Sequence, residues 1–309
     1  MRGAPNVSEA RRAAVLQAAA ELGYRPNLVA RSLVERRTRT LGVLVSDLHN
    51  PFFAEVIDGL QAEAQERGLR IVLGTGRRDP AEEAETVEAF LQQDVDGLVL
   101  LSPRLPGIED VAAAVPTVVV ATRAEHVDVV VNDDALGAEL AVAHLAELGH
   151  ERIAHIAAAG TQERRAGYES AIARHGLEAL IADGDVTDEG GYRGAQRLLA
   201  NGRPTAIFAC NDLAALGALT AIEEAGLSVP GDVSLVGYDN TYLASIRHIA
   251  LTSVDQPRHR MGRLAVEALD ARREAPGAPP ALHTVTPHLE IRSSSASHAP
   301  RAARASRAP

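Results

Sequence analysis

Beyond residue 40 the chain alternates short, continuously apolar runs with longer amphipathic segments. Runs such as "LGVLVS" (41–46) and "GLVLL" (97–101) are typical of strands that are buried on both faces of a parallel sheet. The segment 51–67 has proline at its first position and is followed by Gly68, which is the usual pattern of a helix.

The same criteria, applied along the chain, predict eight strands and eight helices. The strands are "LGVLVS", "RIVLG", "GLVLL", "TVVVA", "VVVND", "RIAHIA", "TAIFAC" and "VSLVGYD". The helices span about 51–67, 80–92, 107–114, 133–148, 163–175, 188–200, 211–225 and 257–271. This alternation predicts an α/β protein with two doubly wound parallel-sheet subdomains and right-handed crossovers.

Composition and charge agree with a globular protein that has a basic N-terminal arm. The 309 residues suffice for two domains, and no apolar run approaches the roughly 18 residues that span a bilayer. We therefore expect a cytoplasmic protein without membrane contact. Residues 1–40 hold eight arginines and three acidic residues, whereas residues 41–291 hold 19 arginines and 38 acidic residues. The arm fits a nucleic-acid contact and fits a solvated basic segment equally well.

Candidate binding residues follow the predicted strands, because ligands bind at the carboxyl ends of strands in such sheets. They comprise adjacent aromatic rings, amides, a hydroxyl, a carboxylate and guanidinium groups: Asn50, Phe52, Phe53, Thr122, Arg123, Arg164, Asn211, Asp239 and Gln256. An aromatic face suits the apolar side of a sugar, and bidentate polar groups suit its hydroxyls. For Asn211 and Asp212 a helix-capping role is the competing interpretation.

Catalytic and metal sites are not indicated. No Gly-x-Ser-x-Gly turn presents a nucleophile, and His144, His150 and His155 are poorly spaced for a shared metal. "LGTGRRDP" lacks the third glycine of a dinucleotide-binding loop. We therefore expect no enzyme activity and no cofactor.

Several segments, in the same order along the chain, resemble the lactose-repressor/galactose-repressor (LacI/GalR) family of bacterial transcription regulators. The sensor half of that family is similar to periplasmic sugar-binding proteins. The segments include "AAAELGYRPNLVARSL", "RTRTLGVLVSDLHNPFFAEVIDGLQAEAQERG", "RPTAIFACNDLAALGAL" and "GDVSLVGYDN". The resemblance implies a homodimer whose two sensor subdomains close on a small effector and so control binding to operator DNA. It also implies that seven of the nine candidates occupy effector-binding positions: Asn50, Phe52, Phe53, Arg164, Asn211, Asp239 and Gln256.

The resemblance implies the following division of the chain. Residues 1–25 are a remnant of a helix-turn-helix headpiece, namely its third helix from about Ser8 to Leu22, and residues 26–40 are a hinge. Residues 41–148 with about 254–280 form the N-terminal sensor subdomain. Residues 149–253 with about 281–292 form the C-terminal one, and residues 293–309 are a disordered tail.

Two departures from the family pattern bear on the ligand. Many sugar binders have Asp-Arg where this chain has "ATR" (121–123), and the loop "GTQERRAGY" is several residues shorter than usual. The departures leave the ligand class as a sugar or sugar derivative and leave its identity open.

The N-terminal segment implies a DNA contact. In relatives the hinge folds on DNA and its leucine enters a minor-groove step; the matching residues here are Asn27, Ala30, Arg31, Ser32 and Leu33. The two helices that precede this segment in the family are absent, so we expect Met1 to be an internal codon taken as a start. The alternative is a headless cytoplasmic sugar-binding sensor without DNA-binding activity. The favoured interpretation is a ligand-responsive regulator that acts as a repressor.

Overall fold

A computed structural model of the chain describes residues 8–21, 37–201 and 203–298. The helix expected from about Ser8 to Leu22 is present as α1 (Glu9–Glu21). The five hinge residues named above, Asn27, Ala30, Arg31, Ser32 and Leu33, lie outside the described residues. The role of α1 as a headpiece remnant therefore stays a prediction.

The first sheet contains six strands that all run parallel. They are β1 (Thr40–Val45), β2 (Arg70–Thr75), β3 (Gly97–Leu101), β4 (Thr117–Val120), β5 (Asp128–Asn132) and β11 (Leu282–Val285), in the spatial order β11-β5-β4-β3-β1-β2. Helices α2 (Pro51–Glu66) and α9 (Arg258–Glu274) cover one face, and α3 (Pro80–Gln92) and α4 (Ile108–Ala114) cover the other. Val43 and Val45 face α2 and α9 while Leu44 faces α3, which explains why the strand is apolar at every position.

The second sheet repeats this plan and adds one antiparallel edge strand. Its strands are β6 (Ile153–Ala157), β7 (Leu180–Asp183), β8 (Ala206–Ala209), β9 (Ser234–Asp239), β10 (Thr252–Asp255) and β12 (His288–Glu290), in the spatial order β12-β10-β9-β8-β6-β7. Helices α5 (Asp134–Glu147) and α6 (Gln162–Arg174) cover one face, and α7 (Asp188–Asn201) and α8 (Asp212–Glu224) cover the other. The predicted fold class, with two doubly wound subdomains, is confirmed.

Two of the expected domain boundaries differ from the structure. Helix α5, assigned above to the first subdomain, packs through Ala141 and Leu145 against Ile153 and Tyr168 of the second. Strand β11, assigned to the second, pairs with β5 of the first sheet. A strand followed by a helix looks the same in sequence whichever sheet the helix covers, so the pattern did not locate these crossings.

The chain passes between the subdomains three times within the described residues. The passages lie between β5 and α5, between β10 and α9, and between β11 and β12. None of the described helices is long and apolar enough to cross a membrane.

The prediction that the disordered tail begins at residue 293 is wrong. Residues 293–298 are described and bind the second sheet: the backbone N–H of Leu235 donates to Ser294 O at 2.8 Å, and Ser294 Oγ donates to Leu235 O at 2.6 Å. His298 N donates to Leu148 O at 2.8 Å. The sequence did not predict these contacts, because they are made by backbone groups and a serine hydroxyl within a segment of low sequence complexity. Residues 299–309 lie outside the described residues.

Helices α2 and α9 approach each other closely because each has a glycine at the contact. A β-carbon on Gly59 would lie 2.1 Å from His259 O, and one on Gly262 would lie 2.1 Å from Val56 O. Both obstacles are backbone atoms of packed helices, which yield less easily than a side chain.

We expect Gly262→Ala to lower the free energy of unfolding by about 1–3 kcal/mol, since the added methyl group overpacks the contact. The control is Gly277→Ala, because a β-carbon there would meet nothing within 4 Å. Urea denaturation measures both. Alanine normally favours a helix over glycine, so a more stable Gly262→Ala protein would contradict the proposed close contact.

His155 lies in the core of the second subdomain and is 0% exposed. Its Nδ1–H donates to Phe208 O at 3.0 Å, and its ring stacks on Tyr168 and Phe208 with ring-centre distances of 5.0 and 4.8 Å. Burial lowers the pKa of His155 to about 4. The ring is therefore neutral in the folded protein at pH 5, whereas a solvated histidine with a pKa of about 6.5 is protonated.

Because the folded-state pKa is depressed, this contribution to stability is complete above about pH 6.5 and declines as the pH falls toward 4. We expect the unfolding free energy of the wild type, relative to His155→Phe, to fall by about 1 kcal/mol per pH unit between pH 6 and 4.5. Urea denaturation at several pH values tests this. The control is His126→Gln, because the His126 side chain is 78% exposed; its unfolding free energy should depend on pH as that of the wild type does. If His155→Phe showed the same pH dependence as the wild type, His155 would not be the group responsible.

Candidate functional site

A cavity of about 470 Å³ lies between the two subdomains and is lined by residues of both. All nine candidate residues predicted from the sequence line it: Asn50, Phe52, Phe53, Thr122, Arg123, Arg164, Asn211, Asp239 and Gln256. They are brought together because each follows a strand of one of the two sheets, at its carboxyl end or at the start of the next helix. The pattern did not single out several further lining residues, which include Ser46, Arg78, Ser102, Arg104, Asn132, Asp134 and Glu163.

An aromatic pair forms part of the first-subdomain wall. The rings of Phe52 and Phe53 meet edge to face with 5.2 Å between their centres, and the residues are only 4% and 8% exposed. Asn50 caps α2 by accepting a hydrogen bond at 3.0 Å from Phe52 N, and Pro51 follows at the first helical position. The cap therefore holds both rings at the cavity. Both also belong to the hydrophobic core of the first subdomain.

A buried arginine organises the second-subdomain wall. Arg164 Nη1 donates to Cys210 O at 2.6 Å, and Nε donates to Asp134 Oδ2 at 3.1 Å. Nη1 also lies 3.5 Å from Asp239 Oδ1, and the guanidinium carbon lies 3.8 Å from the centre of the Tyr238 ring. Burial alone would lower the pKa of Arg164, but the two carboxylates raise it above its ordinary value. The arginine is thus a fixed cation whose charge already has partners.

Asp239 offers a carboxylate oxygen to the cavity. Gln256 Nε2 donates to its Oδ1 at 2.5 Å, whereas its Oδ2 has no hydrogen-bond partner among the described residues. Burial raises the pKa of Asp239 to about 6, against the opposing effect of Arg164. At neutral pH the group is therefore mostly ionised and can accept a hydrogen bond from a ligand hydroxyl.

Asn132 is a second group with unused capacity, and the sequence pattern did not identify it. Its Nδ2 donates to Asp134 Oδ1 at 3.1 Å and to Tyr238 Oη at 2.8 Å. Its Oδ1 is buried and has no hydrogen-bond partner within the described part of the chain. A buried acceptor without a partner is costly, and it belongs to a residue that lines the cavity. The only signal in the sequence was its place at the end of "VVVND".

The side chains of Asn211 and Thr122 have protein partners. Asn211 caps α8 by accepting from Ala214 N at 2.8 Å, as the capping interpretation predicted, and its Nδ2 donates to Val186 O at 2.8 Å. Thr122 Oγ1 pairs with Ser102 Oγ at 2.9 Å. The neighbouring Asp212 is directed into the protein, where its Oδ2 accepts from Thr241 N at 2.7 Å.

Left-handed backbone conformations are concentrated at the cavity. Among the residues that line it, Arg78, Ser102, Ala121 and Asp239 have φ angles of 64°, 52°, 63° and 95°. Each such conformation costs a non-glycine residue of order 1–3 kcal/mol, and such residues cluster at ligand sites. The left-handed residues at the strand ends around the cavity therefore lower the stability of the folded protein.

Two ion pairs join the subdomains at the cavity. Arg123 Nε donates to Glu163 Oε1, and Arg78 Nη2 lies 3.1 Å from Asp185 Oδ1. All four side chains are 23–54% exposed, so each pair contributes little to stability. Arg123, a predicted binding residue, therefore lies at the rim with a carboxylate from the opposite subdomain.

Residues 142–295 match the family of periplasmic binding protein-like domains. The ribose operon repressor of Haemophilus influenzae is 35% identical over 286 residues, which cover 89% of this chain and 86% of that protein. A structure of the lac repressor dimer bound to operator and the anti-inducer ONPF has a TM-score of 0.82 at 28% identity and covers 94% of this chain and 92% of its own. A LacI family transcriptional regulator from Enterococcus faecium with bound ribose has a TM-score of 0.75 at 27% identity, covering 84% of this chain and 100% of its own. All three are transcription regulators and not enzymes.

We expect Arg164→Gln to lower the free energy of unfolding by about 3–5 kcal/mol, because it leaves the buried carboxylate of Asp239 and the carboxylate of Asp134, which is 20% exposed, without their cation. Arg165→Gln is the matched control: the adjacent arginine is 47% exposed and pairs with Glu169 at the surface, so its loss should cost no more than about 1 kcal/mol. Urea denaturation at pH 7 compares the two. Equal stability of the two variants would show that the buried network is not what holds this wall.

Proposed function

The chain belongs to the LacI/GalR family of transcription regulators, and we propose that it is a ligand-responsive repressor whose inter-subdomain cavity binds a sugar or sugar derivative. The family acts on operator DNA, as in the lac repressor complex, so the expected cytoplasmic location follows from membership. Ribose appears in the name of one relative and in the bound state of another. We carry over the ligand class from these proteins and leave the individual sugar open.

The observation that carries the proposal is the combination of unused hydrogen-bonding capacity with an aromatic wall. Asp239 Oδ2 and Asn132 Oδ1 are acceptors without protein partners among the described residues. Phe52 and Phe53 line the same cavity. Sugars present hydroxyl donors around their edge and C–H groups on their faces, so they match this arrangement of acceptors and rings.

The position of the cavity suggests how the ligand acts. Phe52, Phe53 and Asn132 belong to the first subdomain, whereas Arg164 and Asp239 belong to the second. A ligand that contacts both groups binds a closed arrangement of the subdomains more tightly than an open one, and so shifts the equilibrium between them.

The DNA-binding part of the proposal depends on residues outside the described ranges. We propose that Asn27, Ala30, Arg31, Ser32 and Leu33 form the hinge that contacts operator DNA and that the protein acts as a homodimer. The support is the likeness to the lac repressor dimer bound to operator.

A thermal-shift screen against pentoses, hexoses and nucleobases tests the ligand class. A ligand at 100 times its dissociation constant adds about 2.7 kcal/mol to the stability of the folded state, so we expect at least one sugar to raise Tm clearly. Asp239→Asn should reduce that shift by removing an acceptor for a hydroxyl, and the affinity should fall about 10-fold or more.

Asp183→Asn is the control, because Asp183 also ends a strand of the second sheet but its side chain is 87% exposed and does not line the cavity. Its sugar response should match that of the wild type. Stabilisation by a nucleobase and by no sugar would refute the proposed ligand class.

A further inference from the structure

Two arginines of the first subdomain, Arg78 and Arg104, line the cavity, and Arg78 pairs with a carboxylate of the second subdomain. Arg78 Nη2 lies 3.1 Å from Asp185 Oδ1. Arg104 lines the cavity, and its guanidinium has no ion-pair partner among the described residues. Burial alone would raise the pKa of Asp185, but Arg78 and Arg104 lower it below its ordinary value. Arg104 is therefore close enough to act on Asp185 without pairing with it.

The charge balance distinguishes this pair from the other arginines of the cavity. Arg164 is neutralised by two carboxylates, and Arg123 by Glu163. Arg78 pairs with Asp185, whereas the guanidinium of Arg104 has no ion-pair partner among the described residues and is therefore available to a ligand.

The loops that carry the two arginines both contact one buried residue, Glu83. Glu83 is 0% exposed and accepts hydrogen bonds from the backbone N–H groups of Arg104 and Leu105, at 2.5 and 2.9 Å, and from Ser46 Oγ at 3.1 Å. Its own N–H donates to Asp79 O at 3.0 Å, next to Arg78. Glu83 therefore binds the Arg104 loop through its carboxylate and the Arg78 loop through its backbone N–H, which positions the two arginines before a ligand arrives.

The backbone also directs Arg78 into the cavity. Arg77 and Arg78 both have left-handed conformations, with φ of 49° and 64°, although neither is glycine. As a result the two neighbours diverge: Arg77 is 74% exposed and pairs with Glu82, whereas Arg78 is 23% exposed and lines the cavity. Strain in two consecutive residues is the type of cost that structures bear at binding sites.

We propose that Arg78 and Arg104 form an anion subsite of the cavity, and that the effector is a sugar carrying an acidic group, a phosphate or a carboxylate, which binds there. The inference rests on the proposed sugar function and adds the charge of the ligand to it. The acidic group pairs with Arg104 and shares Arg78 with Asp185, while the sugar ring lies toward Asp239 and the phenylalanines. Planar guanidinium groups bind both kinds of oxyanion through paired hydrogen bonds.

Titration calorimetry of the full chain tests this with matched ligands: ribose, ribose 5-phosphate and ribonate, then glucose, glucose 6-phosphate and gluconate, with inorganic phosphate alone as a further probe. We expect a phosphorylated or acidic sugar to bind about 10- to 100-fold more tightly than its neutral parent. Whether the phosphate or the carboxylate of a pair binds more tightly identifies the group. Inorganic phosphate alone should bind weakly, because it lacks the sugar contacts.

Variants then locate the effect. Arg104→Gln and Arg78→Gln should each abolish the preference for the charged ligand, measured in the same variant as the ratio of its affinities for the charged and the neutral sugar. Arg77→Gln is the matched control, since it removes an arginine from the same loop that points away from the cavity. Asp185→Asn removes the competing carboxylate and should tighten binding of the charged ligand, an effect that general damage to the fold would not produce. The Tm of each variant without ligand confirms that it folds.

The outcomes separate this inference from the function on which it rests. Equal binding of neutral and charged sugars, or a preference that survives in Arg104→Gln and Arg78→Gln, overturns the anion subsite and leaves the sugar function standing. Binding by none of the sugars overturns the proposed function and the subsite with it.

Discussion

A guanidinium group that is largely removed from water is stable only beside negative charge or hydrogen-bond acceptors, and this requirement organises the second-subdomain wall of the cavity. Arg164 draws together the first residue of α5, the carbonyl that follows β8 and the last residue of β9, because these supply Asp134, Cys210 O and Asp239. The three segments are far apart along the chain. Their convergence positions Asp239 and, through Asp134, the side chains of Asn132 and Tyr238. The acceptors proposed for a ligand are therefore products of one electrostatic constraint.

The two walls of the cavity are built by different means. The second-subdomain wall is organised by the ion pairs of Arg164 and contains one left-handed residue, Asp239, whereas the first contains three, Arg78, Ser102 and Ala121, beside the Glu83 carboxylate that binds the Arg104 loop. Buried charge gives a rigid, pre-arranged set of groups. Left-handed residues lower the stability of the loops that carry them. A ligand that bridges the cavity therefore contacts the Arg164 network on one wall and these loops on the other.

The passages between the subdomains carry cavity residues themselves. Asn132 ends β5 immediately before the chain enters the second subdomain, and Gln256 lies in the passage from β10 to α9. Arg258, just beyond, donates to Asp239 O and pairs with Asp255 and Glu55. Under the proposed function, a ligand in the cavity lies next to two of the three connections between the subdomains, so its binding is placed to change their arrangement.

The periodicity of the sequence determined the two-subdomain α/β fold and most of the site. Buried parallel strands are apolar at every position, and their carboxyl ends form the binding edge by topology alone, so residues such as Phe52, Arg164 and Asp239 could be located from local pattern and resemblance. Only the tertiary structure decided where the chain crosses between sheets, because α5 and β11 have the same pattern whichever sheet they join. Only it revealed Asn132, Asp134, Arg78 and Glu83 as parts of the cavity or its support. The role of each of these residues depends on its hydrogen-bond and ion-pair partners in the folded protein. Those partners are distant in sequence, so the pattern of apolar and polar residues does not indicate them.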